Sequence, residues 1–359
     1  MFDLYHEADH TRPGRTLVIA EIGVNHDGDV QRAIELIHAA KNAGADAVKF
    51  QHFHVDRLLS NEAMLASYQA AAGSADSAMM LLEKLSLSFE QLQQVKDAAT
   101  QAGLLFVVTP FSLGDVDELR SLRPDIVKVA SPDAVNVPLL RAVMTLRRPV
   151  AVSTGTCEID ELDDVVTMLK HHRWGGALLQ CVSSYPAADD GAAIGGMTAM
   201  QKTFGLPVGY SDHTASLTAG AIATAAGACV IEKHLTYDTA AAGPDHAASL
   251  NPDNFARYVA AVREATAMIG IVAKHCTDAE REVRTVSRQS VCVRRDVEAG
   301  EILTLGDLCI RRPGTGIPAR AFDQLNGQRV THSLKANDVL RWDDVEAVES
   351  PAVARTLAA

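Results

Sequence analysis

The chain has 359 residues, more than one ordinary hydrophobic core organises, so its length predicts a large domain accompanied by a small one. A formal net charge of -12 argues against nucleic acid or an anionic membrane as a partner. The six cysteines show no C-x-x-C spacing, and neither a signal-peptide pattern nor a long apolar segment is evident, so we expect a cytoplasmic protein with reduced thiols and no membrane span.

From Thr16 to about Gly270, short β-branched runs alternate with helical patterns. In chain order the runs are TLVIAEIG, AVKFQ, LLFVVTPF, IVKVASP, VAVSTG, ALLQCVSS, PVGYSDH and CVIEKHLT. Each is almost continuously apolar, as expected of a strand that is buried on both faces. Eight strand–helix units predict an α/β fold, a (β/α)8 TIM barrel. A doubly wound open sheet is the alternative, but no G-x-G-x-x-G motif follows the first run.

Beyond residue 270 the sequence becomes polar, and short strand-like pieces with Gly and Pro turns follow from Val291. This pattern predicts a small β-rich domain, too small to be very stable alone. The predicted divisions are an N-terminal arm at 1–14, the barrel at 15–270, a linker at 271–289, the small domain at 290–348 and a tail at 349–359.

Polar side chains end the predicted strands. In a TIM barrel these ends and the loops after them form the face that carries the active site. The residues in question are Glu21, Lys49, Gln51, Thr109, Lys128, Ser131, Ser153, Thr154, Ser183, Tyr185, Ser211, His213, Glu232 and His234.

His213 and His234 end the seventh and eighth runs, which are neighbours in a closed barrel. Two imidazoles on adjacent strands can share one Mn, Fe, Zn or Co ion and leave coordination positions open for substrate. The alternative is that each ring only makes hydrogen bonds at the barrel rim. The pairing, beside Asp212 and Glu232, favours a metal site.

Lys49 and Lys128 lie inside apolar runs, where an unpaired charge is costly to bury. With the neighbouring hydroxyl groups they indicate a site for an anion such as phosphate. An ion pair with Glu21 and a Schiff-base lysine are the alternatives. Glu21 itself is a candidate to move a proton, or a rim carboxylate paired with a lysine.

Two further positions carry weak signals. Asp245 follows a Gly-Pro turn and could bind hydroxyl groups, although G-P-D is a common turn sequence. Arg312, in RRPGTGIP of the small domain, is by itself most simply a solvated surface residue.

Together the motifs resemble the N-acetylneuraminate (sialic acid) synthase family over residues 15 to 348. The motifs are AEIGVNHDGD, AVKFQ, VTPF, KVAS, STG, LLQCVSSYPA, GYSDHT, IEKHLTYD, GPDHAASLNPD and RRPGTGI. The resemblance implies a (β/α)8 barrel joined to an antifreeze-like (SAF) domain, in a homodimer whose SAF domains cover the partner's barrel. It implies condensation of phosphoenolpyruvate with a 2-acetamido sugar aldehyde such as N-acetylmannosamine, releasing phosphate. It also implies a divalent ion, commonly Mn²⁺, with Mg²⁺ or Co²⁺ as alternatives.

Carried over by motif, the resemblance assigns His213 and His234 as metal ligands and Glu21 as the acid/base, with Lys49 and Lys128 also catalytic. The positions that match the phosphoenolpyruvate site are Lys49, Thr109, Lys128, Ser131, Ser153, Ser183, Tyr185 and Ser211. The positions that match the sugar site are Gln51, Tyr185, Asp245 and Arg312, the last supplied by the partner subunit.

Ser183 stands where members of this family can have Asn, and Ser74 lies near the place where the family can have an Asn that contacts the acceptor's amide, which leaves the acceptor open. N-acetylmannosamine, a diacetamido hexose and a 6-phosphate are the possibilities. A 3-deoxy-octulosonate-phosphate-type synthase and a non-catalytic sugar-binding protein are the rival functions. The C-terminal domain argues against the first, and the intact set of His213, His234, Glu21, Lys49 and Lys128 argues against the second.

Overall fold

The computed structural model describes residues 16–60, 78–270 and 273–348. The chain divides into two compact units, Met1–Val272 and Ala273–Ala359. Ser74 lies outside the described residues. No helix in the described part of the chain is long and apolar enough to cross a membrane.

The first unit is a closed barrel of parallel strands in which each strand pairs with its neighbours in chain order and β8 closes onto β1. This confirms the predicted TIM barrel. The strands are β1 Leu17–Gly23, β2 Ala47–His52, β3 Leu105–Pro110, β4 Ile126–Val129, β5 Val150–Ser153, β6 Gly176–Cys181, β7 Val208–Asp212 and β8 Val230–His234.

Helices follow the strands along the chain. Within the described residues of this unit they are α1 Val30–Asn42, α2 Val55–Leu58, α3 Ala78–Leu85, α4 Phe89–Gln101, α5 Leu113–Leu122, α6 Val137–Met144, α7 Asp163–His171, α8 Gly195–Phe204, α9 Ala219–Ala225 and α10 Pro252–Ile269. Polar side chains cap the first turns of two helices. The Asp29 side chain accepts a hydrogen bond from the backbone N–H of Gln31 at the start of α1. Asn251, which immediately precedes Pro252, accepts one from the backbone N–H of Asn254 at the start of α10.

Alternation along the strands creates two cores. Side chains such as Val18, Ala20 and Ile22 point outward and pack with the helices in the larger cluster. Leu17 and Ile19 point inward and join a small apolar cluster that fills the barrel interior. Because successive residues of a strand face opposite sides, the inward series of each strand runs from this apolar cluster to the polar residue at the carboxyl end.

The second unit contains α11 Arg281–Ser287 and two antiparallel pairs, β9 Ser290–Val293 with β10 Leu308–Arg311, and β11 Arg329–Val330 with β12 Val345–Glu346. Its apolar core is small and is formed by residues such as Val291, Leu308 and Leu340. The helix α11 lies within the predicted linker at 271–289, for which some helix is expected.

Candidate functional site

A cavity of about 430 Å³ opens at the carboxyl ends of the barrel strands. The predicted site residues that line it are Glu21, Lys49, Gln51, Thr109, Lys128, Ser131, Ser153, Ser183, Tyr185, Ser211, His213, His234 and Asp245. Arg312 belongs to the second unit, where it is exposed.

The inward series of the strands explains how residues distant in sequence meet. Ala47 of the interior apolar cluster is followed two residues later by Lys49, and Ile126 in the same way by Lys128. Val230 is followed by Glu232 and then His234. Because side chains alternate between the two faces of a strand, every second side chain at the carboxyl end of a strand points into the cavity.

Two lysines and two glutamates form a buried network on the cavity floor. Lys49 Nζ lies 3.3 Å from Glu21 Oε2, 3.4 Å from Glu232 Oε1 and 3.3 Å from Thr109 Oγ1. Lys128 Nζ lies 3.9 Å from Glu232 Oε2 and donates to the carbonyl of Val129 at 3.1 Å. All four charged residues are at least 95% buried, so each needs its counter-charges.

Glu232 is a site residue that the sequence analysis noted as a polar strand end but did not assign a role. It links the two lysines and accepts a hydrogen bond from Ser211 Oγ at 3.0 Å. Burial alone would raise the pKa of Glu232, but Lys128 and Lys49 hold it below its usual value. Its position two residues before His234 was the available signal, because the two side chains must share a face of β8.

Glu21 has a different environment. Burial raises the pKa of Glu21 to about 7 although Lys49 opposes the shift. Gln51 Nε2 donates to its Oε1 at 3.2 Å, whereas its buried Oε2 faces only the Lys49 ammonium group at 3.3 Å. A cavity-lining carboxyl group with a pKa near neutral pH is suited to proton transfer.

The rings of His213 and His234 have centroids 5.4 Å apart, so the two imidazoles face the same region of the cavity. His213 Nδ1 lies 2.8 Å from the carbonyl of Val182, which makes Nδ1 the protonated nitrogen and leaves Nε2 with a lone pair. Burial and the nearby His213 keep the pKa of His234 well below its usual value, and its Nδ1 has no hydrogen-bond partner. Burial opposes protonation of His213, but Cys181 and the Val182 carbonyl raise its pKa above the usual value, so a divalent cation bound there would displace a proton.

A second group could hold a metal by distance alone. One ligand atom from each of His52, His54 and Asp115 lies within 4.8 Å of the other two. These side chains already have partners. Glu118 Oε2 lies 2.7 Å from His52 Nε2 and 3.1 Å from His54 Nε2. Arg57 contacts the carboxylates of Asp115 and Glu118.

The contacts of His52 disfavour a metal at its Nε2 atom. Its Nδ1 is buried without a partner, so protonation at Nε2, donating to Glu118, leaves no unpaired N–H group. Metal binding at Nε2 would move the proton to Nδ1 and leave a buried donor unsatisfied. We therefore regard this group as an ion-pair cluster that fixes the segment after β2.

Hydroxyl groups converge on the opposite wall of the cavity. Ser131 Oγ accepts from the backbone N–H of Gly155 at 3.0 Å, while the buried Ser153 Oγ has no partner. A Cβ at Gly155 would lie 2.4 Å from Ser183 Oγ and 2.9 Å from Ser131 Oγ. Glycine is needed there because any side chain would displace these hydroxyl groups.

Contacts between the first and eighth loops hold Asp245 at the cavity. His246 Nε2 lies 3.0 Å from Asp27 Oδ1, and His246 Nδ1 lies 2.7 Å from Thr236 Oγ1. Tyr237 OH donates to Asp27 Oδ2 at 2.8 Å. These bonds restrain the residue next to Asp245, whose carboxylate lies 3.7 Å from His234 Nδ1.

His26 makes the first loop sensitive to acid. Burial lowers the pKa of His26 from 6.5 to about 4. Its ring stacks on Phe50 with centroids 6.1 Å apart, and its Nδ1 accepts from the backbone of Gly28 at 3.0 Å. Below pH 6.5 the unfolded chain binds a proton here while the folded chain remains neutral until about pH 4. The stability contributed by neutral His26 is therefore lost as the pH falls through this window.

We expect a His26→Asn variant, which keeps an acceptor but does not titrate, to lose less stability on acidification than the wild type. The difference in the change of unfolding free energy between pH 7 and pH 4.5 should be roughly 1–3 kcal/mol. Urea unfolding of both proteins at the two pH values measures it. Equal losses in the two proteins would contradict this assignment.

Comparison with known proteins agrees with this architecture. The pattern of the NeuB family matches residues 36–274, and that of the SAF domain matches residues 288–346. The chain is 37% identical over 337 residues to N,N'-diacetyllegionaminic acid synthase of Legionella pneumophila, covering 92% of this chain and 94% of that protein.

Solved structures are similar as well. A putative spore coat polysaccharide biosynthesis protein E from Chromobacterium violaceum is 25% identical, with a TM-score of 0.79 over 92% of this chain and 99% of that one. The N-acetylneuraminic acid synthetase of Leptospira borgpetersenii is 28% identical, with a TM-score of 0.67 over 76% of this chain and 90% of that one. The family match and the 37% identity across nearly the whole chain show that this protein belongs to the NeuB family, with a C-terminal SAF domain.

Proposed function

We propose that this protein condenses phosphoenolpyruvate with a 2-acetamido sugar aldehyde, giving a sialic-acid-type nonulosonic acid and inorganic phosphate. The observation that carries the proposal is the composition of one cavity, in which two buried lysines, a carboxyl group with a raised pKa and two adjacent imidazoles lie together. An anion, a proton and a carbonyl compound each have a suitable partner there. Membership of the NeuB family supports the same reaction.

Phosphoenolpyruvate is assigned to the half of the cavity that contains Lys49 and Lys128. The two ammonium groups now share Glu232, and a trianionic substrate would take over part of that pairing. The neutral donors around them are Thr109, Ser131, Ser153, Ser183, Tyr185 and Ser211. The same cations are placed to stabilise the phosphate as it leaves.

Glu21 is assigned the proton transfers. During condensation the enol carbon of phosphoenolpyruvate bonds to the aldehyde carbon, whose oxygen becomes a hydroxyl and takes a proton. Water then adds at C2, loses a proton, and the C2–O bond to phosphate breaks. A carboxyl group with a pKa near 7 can give the first proton and accept the second at Oε2.

We assign a divalent ion, Mn²⁺ in the first instance, to His213 and His234. Their free lone pairs and their 5.4 Å ring separation support this choice over the engaged His52 group. When bound, the ion supplies a Lewis acid for a carbonyl oxygen. Cys181, whose Sγ lies 3.7 Å from His213 Nδ1, helps to keep that ring oriented.

The sugar is assigned to the side of the cavity formed by Gln51, Tyr185 and Asp245, with Arg312 contributed by a partner subunit in a homodimer. Gln51 contacts Glu21, and Asp245 lies next to His234. A sugar bound to Gln51 and Asp245 would therefore lie beside the proposed reacting groups. We place the reaction in the cytoplasm, which agrees with six free cysteines among the described residues.

The experiment that tests the reaction is a panel of aldoses incubated with phosphoenolpyruvate and Mn²⁺, following phosphate release and product mass. Because the Legionella relative is named a diacetyllegionaminic acid synthase, we expect a 2,4-diacetamido hexose to give the highest kcat/KM. N-acetylmannosamine and its 6-phosphate are the comparison substrates. Turnover only with an aldose lacking the acetamido group would instead support the octulosonate-phosphate-type reaction, and the absence of any product would support a binding protein.

A further inference from the structure

A buried polar cluster lies on the outer face of β7 and β8, behind the barrel wall. It consists of Asp212, Thr214, Lys233 and Tyr258, each with 0% exposure. We propose that this cluster, which we name the back brace, sets the spacing of the two histidines inside the cavity. The inference rests on the proposed ion site at His213 and His234.

The strand register supports a positioning role. Asp212 and Lys233 are direct partners across the β7–β8 pair, and each immediately precedes one of the two histidines. Successive strand residues point to opposite faces, so the ion pair points outward while the imidazoles line the cavity. Anything that displaces one member of the pair therefore displaces the histidine attached to it.

The contacts of the back brace hold both sides of His213. Asp212 Oδ1 accepts from the backbone N–H and the hydroxyl of Thr214, each at 2.8 Å. Lys233 Nζ donates to the carbonyl oxygens of Asp212 and Thr214, the residues that flank His213. The lysine of β8 thus fixes the turn that follows β7.

The helix α10 completes the arrangement. Tyr258 OH donates to Asp212 Oδ2 at 2.8 Å, and Lys233 Nζ lies 3.6 Å from the same oxygen. An added Cβ on Gly220 of α9 would lie 2.4 Å from Tyr258 OH, so a side chain there would push the tyrosine away from the carboxylate. The absence of a side chain at Gly220 is what allows this approach.

The energetics of buried ion pairs indicate that the back brace positions the two histidines rather than stabilising the fold. Moving Asp212 and Lys233 out of water carries a penalty of several kcal/mol per ion, and apolar residues in such places often give equal or greater stability. The directional hydrogen bonds of this ion pair nevertheless fix the carboxyl ends of β7 and β8 relative to each other. Partners behind metal ligands commonly change metal affinity by about 10–100-fold when they are substituted.

The test is Mn²⁺ binding measured by electron paramagnetic resonance of the free ion, using the full-length chain without substrates. We expect Lys233→Met to weaken Mn²⁺ binding by about 10–100-fold, and Tyr258→Phe and Gly220→Ala by about 3–10-fold. Thermal unfolding of the metal-free proteins, read by circular dichroism, establishes that each variant is folded at the binding temperature.

Arg263→Met is the matched control, because Arg263 lies on the same helix and pairs with Asp46 at 2.5 Å away from the cavity. It should lower the unfolding temperature without changing Mn²⁺ affinity. If Lys233→Met does not fold, Tyr258→Phe and Gly220→Ala decide the matter. Wild-type affinity in the folded variants would refute the back brace alone, whereas a wild-type protein that binds no Mn²⁺ would refute the proposed ion site.

Discussion

A Glu21→Gln variant is expected to fold and to bind Mn²⁺ like the wild type, yet to lose roughly 10²–10⁴-fold in kcat. General acid–base catalysis by a positioned group contributes roughly 10²–10⁴-fold, and no other described carboxyl group in the cavity has a pKa raised to about 7. The measurement is steady-state phosphate release with saturating substrates and Mn²⁺.

The stability of this variant gives an independent readout. Because the folded-state pKa of Glu21 lies above its unfolded value, the ionised side chain costs stability as the pH rises from about 4.5 through 7. At pH 8 the neutral amide should therefore leave the unfolding temperature unchanged or higher. Glu35→Gln, on an exposed part of α1, is the matched control for both readouts. Near-normal turnover by Glu21→Gln would remove Glu21 from the mechanism.

Substitution of either proposed metal ligand should have an effect of similar size. We expect His213→Ala and His234→Ala to lose Mn²⁺ binding and at least about 10³-fold in kcat/KM, since a Lewis acid contributes several kcal/mol and each 1.36 kcal/mol is tenfold in rate. Excess Mn²⁺ should not restore activity. Calorimetric titration with Mn²⁺ and kinetic assays across a range of Mn²⁺ concentrations measure the two effects.

His54→Ala is the control for this prediction, because it removes a member of the other group that could hold a metal by distance. It should keep Mn²⁺ binding and turnover, since Glu118 and Arg57 already engage that group. Loss of Mn²⁺ from His54→Ala with retention in His213→Ala would transfer the ion site to the His52 group.

Much of the cavity follows from strand periodicity. Buried strands with polar ends predict where Lys49, Lys128, His213 and His234 must lie, because in a closed parallel barrel all carboxyl ends meet on one face. The structure brings these four side chains to one cavity. The pairing of β7 with β8 was predictable for the same reason, and with it the proximity of the two imidazoles.

Other features depend on tertiary contacts that a linear pattern does not contain. The link that Glu232 makes between both lysines needs the side-chain distances across three strands. The back brace was missed because Asp212 and Lys233 resemble rim residues in the sequence, whereas α10 buries them completely. Asp245 and Arg312 lie on loops, where local sequence determines position poorly, so the sequence alone provided only weak signals for them and the resemblance to a family supplied their roles.

The most direct measurement uses phosphoenolpyruvate with ¹⁸O in the oxygen that bridges carbon and phosphorus, incubated with Mn²⁺ and the preferred acetamido aldose. Because the account requires the C–O bond to break, the released inorganic phosphate should carry the label, and the organic product should have the mass of the aldose plus pyruvate. Unlabelled phosphate, or phosphate released at the same rate without the aldose, would contradict the proposed condensation.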